Sequence, residues 1–436
     1  MLGSSLASAP RASAAGPWLF VSDIHLNPAN RNPEPVAEKR DTNPALLSSA
    51  LAEMRRVDPD PPVVVIGGDF LAHRFDYSKA SATMKQLAAR FDHVFPKAQF
   101  IIALGNEDAG CGDYGFDVHS AFARTVVTAW APLIDRHGAS PSFAKTFARS
   151  GFYVARLPLA HTNVIVIDDV FWSPFYHSCA SSPTTNAAAQ TMEALRAALR
   201  ASGDTHWVIA HIPPGIDVYS STQVGHGLLV IPFLKPEPSA EFLSLVGDPA
   251  NNVTLVLSAH SHRFAYRIVG SNTPKPVPML LVPAISPIFG NAPAFLTADV
   301  APSGELRAAE IHSFLGGSWR DVGGTRSLGL AAFDAANLAR LQERLTNDSG
   351  ARDRFARLYD AGAPPEIDER NWRSYWCAAT NFTPDDFRRC SGAGGFGLVT
   401  GRAVWLVVLG VLVLAGIVVA GTIIAARTRR FGPQQP

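Results

Sequence analysis

Five short apolar runs in this chain each stop abruptly at a residue that can bind a metal ion. Residues 18–21 lead into Ser22-Asp23-Ile24-His25, residues 63–66 into Gly67-Gly68-Asp69, and residues 100–104 into Gly105-Asn106-Glu107-Asp108. Residues 207–210 lead into His211, and residues 253–258 into Ala259-His260-Ser261-His262. Short continuous runs of this kind, bounded by turn formers, read as strands buried on both faces. Amphipathic stretches separate them. Asn43-Pro44 opens a helix to about Val57, with Asn as N-cap and Pro at N1. Further helical patterns cover residues 78–94, 117–135, 141–149 and 187–202, and two more strands cover 152–158 and 162–168. Alternating strands and helices point to a layered α/β core, in which ligands bind at the carboxyl ends of strands.

Taken singly, each of these polar residues has an ordinary reading: a capping Asp, a turn Asn, a histidine satisfied inside the core. Five strand ends of the same kind in one chain favour a metal site. Asp23 and His25 are two apart, and side chains at i and i+2 of an extended chain lie on one side. A carboxylate and an imidazole could therefore reach one cation. Mixed imidazole, carboxylate and amide ligation suits zinc, iron or manganese rather than calcium.

The chain has 436 residues, 47% of them hydrophobic, so it can bury a large core. Its formal net charge of +1 provides no global basic field for nucleic acid. Residues 403–426 form an uncharged apolar stretch long enough to cross a bilayer, with Arg427, Arg429 and Arg430 behind it and only Arg402 immediately before it. The positive-inside rule then leaves residues 427–436 as a cytoplasmic tail and the rest outside the cytoplasm, at the cell surface or in a lumen. Residues 1–16 lack the apolar region of a signal peptide. An upstream start, another export route and a tail-anchored cytosolic protein all stay open, and the arginine asymmetry favours export. Three N-x-S/T sequons, at Asn252, Asn347 and Asn381, fit a glycoprotein in an organism that glycosylates. Four cysteines allow three pairings, of which Cys111–Cys179 and Cys377–Cys390 is the simplest in an oxidising compartment.

The order D-x-H, G-D, G-N, lone His, H-x-H resembles the calcineurin-like metallophosphoesterases over residues 18–315. The run His211-Ile212-Pro213-Pro214-Gly215, with Gly68-Asp69-Phe70-Leu71-Ala72-His73, is similar to the acid sphingomyelinase-like and endopolyphosphatase-like branch. The resemblance implies an α/β fold, a four-layer α-β-β-α sandwich, with a small helical C-terminal subdomain, to which the apolar stretch adds a C-terminal transmembrane helix. The boundaries read as a disordered 1–16, a catalytic domain 17–315, a Cys-containing helical subdomain 316–392, a linker 393–402 and the span 403–426. It also implies two divalent metal ions, zinc first, with iron or manganese as alternatives. Asp23, His25 and His262 would hold one, Asn106, His211 and His260 the other, and Asp69 would bridge them.

One position departs from the family pattern. Glu107 stands where the G-N-H motif carries a histidine that protonates the leaving oxygen or holds the phosphate. Glu107 could be a tuned general acid, could leave that task to His73, or could mark weakened catalysis. The implied function is a membrane-anchored phosphoesterase that cleaves a phosphodiester or phosphoanhydride by metal-activated water. A sphingomyelin-like lipid, a nucleotide or polyphosphate would be its substrate. Rival readings are a phosphomonoesterase of the same superfamily and a metal-containing binding protein without turnover.

Overall fold

The computed structural model describes residues 17–36, 38–179, 186–224 and 229–392. Three strands open the fold: β1 (Trp18–Val21), β2 (Val63–Ile66) and β3 (Gln99–Ile102), parallel and buried at every residue. Helices α1 (Pro44–Val57) and α2 (Ala80–Val94) make the crossovers that parallel neighbours require. The start of α1 is local chemistry: the Asn43 side chain accepts a hydrogen bond from Leu46 N at 2.9 Å, and Pro44 fills the first turn. Helices α3 (Ala121–Ile134), α4 (Phe143–Ser150), α5 (Ala187–Arg200) and α6 (Pro236–Gly247) follow.

The second group of strands is β4 (Tyr153–Arg156), β5 (Thr162–Val166), β6 (Thr205–Ile209), the short β7 (Ile216–Asp217) and β8 (Ile231–Pro232), and β9 (Val253–Ser258). Then come β10 (Ala265–Val269), β11 (Val277–Leu281), β12 (Ala294–Val300), β13 (Leu306–Leu315) and β14 (Ser318–Gly324). They make two mixed six-stranded sheets, in the orders β14-β13-β12-β1-β2-β3 and β10-β11-β9-β6-β5-β4. The sheets face one another through aromatic rings. Trp18 and Phe20 of β1 meet Trp207 of β6 at centroid distances of 5.2 and 6.3 Å. The buried indole of Trp207 keeps its N–H satisfied at the Gly304 carbonyl, 3.0 Å away. Each fully buried aliphatic or aromatic side chain in this interface contributes about 1.5–3 kcal/mol by leaving water.

This packing brings the carboxyl ends of β1, β2, β6 and β9 together. Asp23 N donates to Gly68 O at 3.0 Å, and Ala259 N donates to His211 O at 2.9 Å. Tight hydrogen bonding of the loops leaves their side chains little freedom of direction.

Two helices follow β14, α7 (Ala335–Asn347) and α8 (Ser349–Tyr359), divided at Asp348, whose backbone is extended. Helices α9 (Trp372–Ala378) and α10 (Pro384–Ser391) complete the described chain. β10 is an edge strand, and the segment around α8 and α9 covers it. Phe264 N donates to Tyr359 O at 3.1 Å, and Ile268 N donates to Ala379 O at 2.8 Å. Met1–Phe387 forms one compact unit; of the second, Arg388–Pro436, residues 388–392 are described.

The single-pass membrane placement drawn from the sequence is corrected here. Among the described residues no helix is long and apolar enough to cross a membrane. The apolar stretch 403–426 that suggested it lies outside the described residues, as do residues 1–16, the linker 393–402 and the tail. Cys111 and Cys179 form a disulfide, Cys377 and Cys390 are each disulfide-bonded, and no cysteine is free.

Candidate metal centre

Six of the seven side chains proposed from the sequence as metal ligands gather in two close groups at the strand ends, and the seventh, Asn106, lines the same cleft as Asp69, His260 and His262. Asp23 and His25 come from the loop after β1, Asp69 from the loop after β2, and Asn106 from the loop after β3. His211 follows β6, and His260 and His262 follow β9. Asp23, His25 and His262 form one group whose ligand atoms all lie within 4.8 Å of one another, and Asp69, His211 and His260 form a second. His25 Nε2 is 3.1 Å from His262 Nε2, which is 3.4 Å from Asp23 Oδ1. Asp69 stands between the groups, with Oδ2 3.5 Å from His25 Nε2 and 3.2 Å from His211 Nε2.

Asp23 and His25 do not converge in the way an extended strand would arrange them. Both adopt left-handed backbone, φ 45° and 44°, as do Asp69 at 55°, His260 at 65° and His262 at 61°. Non-glycine residues rarely hold this conformation, and a cluster of them marks a functional site. The conserving force is hydrogen bonding between loops, including His25 N to Asp69 O at 2.9 Å.

Two of the four imidazoles are aimed by their second nitrogen. His25 Nδ1 donates to Leu71 O at 3.0 Å, and His211 Nδ1 donates to Gly67 O at 2.8 Å. Both therefore present a bare Nε2 to the centre. The Asn106 amide is oriented in the same manner: Nδ2 donates to Asp113 Oδ1 at 2.9 Å, leaving Oδ1 buried without a partner. Asp169 accepts from His211 N and Ile212 N, both at 3.1 Å, and so holds the backbone of the lone histidine. Asp108 accepts from Phe70 N at 2.8 Å and Gly105 N at 2.9 Å, tying the Asp69 loop to the Asn106 loop.

The electrostatics fit a cation site. Burial pushes the Asp23 carboxyl up to about 7, against the pull of His211. Burial carries His25 down to about 4 and His260 to about 3, and holds His262 well below the usual range. Asp69 is also desolvated, but His211 and His25 outweigh that and keep its carboxyl well below normal. Both oxygens of Asp23, Asn106 Oδ1 and His211 Nε2 are buried with no hydrogen-bond partner. Buried polar groups of this kind are paired or coordinate a metal. Carboxylate, amide and imidazole donors converging in two adjacent groups fit two divalent cations with nitrogen and oxygen ligands.

His73 and Glu107 lie beside this centre. His73 Nδ1 is 2.9 Å from Asp41 Oδ1, its backbone N donates to Asp41 Oδ2 at 3.1 Å, and its ring stacks on His25 at 4.3 Å. His73 Nε2 is 4.0 Å from Glu107 Oε1, and Tyr77 donates to Glu107 Oε2 at 3.1 Å. Burial opposes the charge on His73, but the Asp41 hydrogen bond and charge raise it to about 9. Burial, then the charges of Asp69 and Asp113, push Glu107 up to about 8. His25, Asp41 and His73 form a third group of close ligand atoms, but the Nδ1 atoms of both rings are already engaged there, at Leu71 O and Asp41.

Sequence reasoning missed Asp41, Tyr77 and Asp113. None sits at a strand end: Asp41 is in the Pro- and Asn-rich loop, Tyr77 opens a short turn of helix, and Asp113 lies six residues beyond Glu107.

Two mixed sheets with carboxylates and imidazoles gathered at their strand ends define a protein of the metal-centred phosphoesterase type. A family model for calcineurin-like phosphoesterase matches residues 16–264, and the chain belongs to that family. Among curated relatives, a sphingomyelinase phosphodiesterase D of Dictyostelium discoideum is 24% identical over 261 residues, 58% of this chain and 56% of its own length. Acid sphingomyelinase-like phosphodiesterase 3b of Mus musculus is 23% identical over 299 residues, 62% of each chain. The cyclic GMP-AMP phosphodiesterase SMPDL3A of Rattus norvegicus is 21% identical over 316 residues, 66% of this chain and 68% of its own. The match thus spans little more than half the length of the Dictyostelium relative.

Proposed function

We propose that this chain is a metal-dependent phosphodiesterase acting on a diester with a sizeable organic group. Asp23, His25 and His262 would hold one cation and Asn106, His211 and His260 the other, with Asp69 in reach of both. The observation that carries this reading is the position of Asp69, within 3.5 Å of an imidazole from each group. When bound, a pair of divalent cations supplies Lewis acidity for a phosphoryl group and lowers the pKa of water. The relatives named as phosphodiesterases of sphingomyelin and of cyclic GMP-AMP support a diester as substrate.

The protein's own residues account for the rest of the site. Asp69 also accepts a hydrogen bond from Glu107 N at 2.8 Å, which fixes its carboxylate plane. His73 is the proton donor to the leaving oxygen. Its side chain is 27% exposed and faces the cleft, whereas Glu107 is 2% exposed and tied to Tyr77. Asp41 accepts from His73 Nδ1 and favours the imidazolium, whose remaining N–H, at Nε2, lies towards Glu107 and the cleft. Glu107 limits the rotation of His73 from the other side, the part it plays in place of the family's histidine.

A cleft of about 650 Å³ opens on Asp69, Asn106 and His262 and continues past Phe289 to Tyr359 and Trp372. Its cationic lining is Lys39, Arg263, Arg267 and Arg352, of which Arg263 and Arg352 are already paired with carboxylates. Among the described residues the lining has no continuous cationic track suited to a polyphosphate chain, which favours an organic diester. The test is a panel on the metal-loaded full chain: bis(p-nitrophenyl) phosphate, p-nitrophenyl phosphate, sphingomyelin, a cyclic dinucleotide and tripolyphosphate. Hydrolysis of diesters well above the monoester and the anhydride is expected. Preference for the monoester or for tripolyphosphate, or no turnover at all, would refute the reading.

A further inference from the structure

Arg263 follows directly on His262 and is 5% exposed. Its Nε lies 2.9 Å from Asp360 Oδ1, and its Nη2 lies 2.9 Å from Glu366 Oε2. The same Nη2 donates to the Phe289 carbonyl at 3.0 Å. Both carboxylates are themselves fixed. Asp360 Oδ2 accepts from Glu366 N at 2.7 Å, and Glu366 Oε1 accepts from the Tyr375 hydroxyl. The guanidinium also lies over the Tyr359 ring, 5.9 Å from its centroid.

These contacts join three parts of the molecule at one cation: the loop carrying His260 and His262, the loop carrying Phe289, and the turn after α8. The first is strained, because both histidines hold left-handed backbone. Such a conformation persists only where the surroundings over-determine it. The second places the Phe289 ring against His262 at 4.6 Å and against His73 at 5.5 Å. A buried ion pair is weak evidence for stability, since desolvation offsets most of the Coulomb attraction. Its place one residue from a candidate ligand gives it another role.

We propose that Arg263 is a positioning residue, which sets the His262 ring and the Phe289 wall by anchoring both to Asp360 and Glu366. The segment from α8 to α9 thereby sets cation affinity in the Asp23, His25 and His262 group. This rests on the metal assignment made above. Arg267 is the natural control. It is equally buried and reaches the same segment, with Nη1 donating to Ala378 O at 2.8 Å and Nη2 to Ile216 O at 3.1 Å. It lies in β10, five residues beyond His262.

The experiment is calorimetric titration of chelator-treated full chain with Zn²⁺ and, separately, Mn²⁺, with thermal unfolding of each metal-free sample. The wild type should bind two equivalents. Arg263→Met should weaken one step about 10–100-fold, the usual effect of removing a group that orients a metal ligand, and leave the other step unchanged. Arg263→Lys should recover part of the loss. Arg267→Met should lower the unfolding temperature while keeping both steps at wild-type affinity. Glu366→Gln provides the same test without deleting the cation, should Arg263→Met fail to fold, and it should weaken the same single step. Wild-type affinity in Arg263→Met or Glu366→Gln, or equal weakening in Arg267→Met, overturns the link alone. A wild type that binds no metal overturns the metal assignment and the link together.

Discussion

Replacing His73 with Gln separates a proton donor from a residue that merely packs on the centre. The His73 ring is held by Asp41 at 2.9 Å and turns its other nitrogen towards Glu107 and the cleft. General acid catalysis contributes about 10²–10⁴-fold in rate. That factor applies only where the leaving oxygen needs a proton. For an alkyl phosphodiester, whose leaving alkoxide is strongly basic, His73→Gln should lower kcat by about 10²–10⁴. For a 2,4-dinitrophenyl ester, whose leaving group departs as a stable anion, the same variant should lose less than about 10-fold, since little proton transfer is required. Asp41→Asn should fall between wild type and His73→Gln. It removes a charge-assisted hydrogen bond of about 1.5–3 kcal/mol, an upper bound of about 10–150-fold at 1.36 kcal/mol per tenfold. The assay is steady-state kinetics on both ester classes at saturating metal, with metal content measured on each sample. An equal loss with both leaving groups at full metal occupancy would refute the assignment. A leaving-group-dependent loss in Glu107→Gln, with none in His73→Gln, would transfer the role to Glu107.

Three further outcomes are expected. The Cys111→Ser/Cys179→Ser double variant, which opens the disulfide closing a sequence separation of 68 residues, should lose about 4 kcal/mol of stability by chain entropy, measured by denaturant unfolding against the wild type. Gly68→Ala should destabilise by about 2–6 kcal/mol, combining left-handed strain with overpacking. Gly68 has φ +105°, and a Cβ there would lie 2.7 Å from His211 Nδ1 and 2.8 Å from Gly105 N; near-wild-type thermal stability would contradict this. Burial lowers the folded pKa of His206, with Asp204 opposing, so its contribution is present above the ordinary value of about 6.5 and is lost as pH falls through the lower folded value. His206→Leu, which also removes two ring nitrogens buried without partners, should flatten the acid side of the urea-stability profile in chelator, and an unchanged slope would count against it.

The legible part of the molecule was the part written locally. β1 and β2 announce themselves as unbroken apolar runs because they are buried on both faces, and α1 is marked by its own Asn43 cap and Pro44. The seven candidate ligands were visible because each directly follows such a strand. The partition of the strands into two sheets was not legible. β1 pairs with β12, some 275 residues later, and no local pattern encodes that partner. Left-handed backbone at Asp23 and His25 was equally hidden, since tertiary hydrogen bonds impose it against the preference of both residues. Asp41 and Arg263 escaped for a related reason: a single Asp in a loop and a single Arg after a histidine gain meaning only from what they touch in space. The membrane placement erred differently. It rested on the hydropathy of residues 403–426 and on the arginines flanking them, all outside the described chain.

The central claim is that Asp69 joins two cation sites in a phosphodiesterase. It is tested most directly by measuring bound metal and diesterase activity together during reconstitution of the chelated full chain, for wild type and Asp69→Asn. The account predicts that wild-type activity on bis(p-nitrophenyl) phosphate rises as the second equivalent binds. It also predicts that Asp69→Asn loses at least about 10²-fold in kcat, the scale of a lost preorganised electrostatic contact. Full activity in the metal-free wild type, activity complete at one equivalent, or an Asp69→Asn variant with wild-type metal binding and turnover would contradict it.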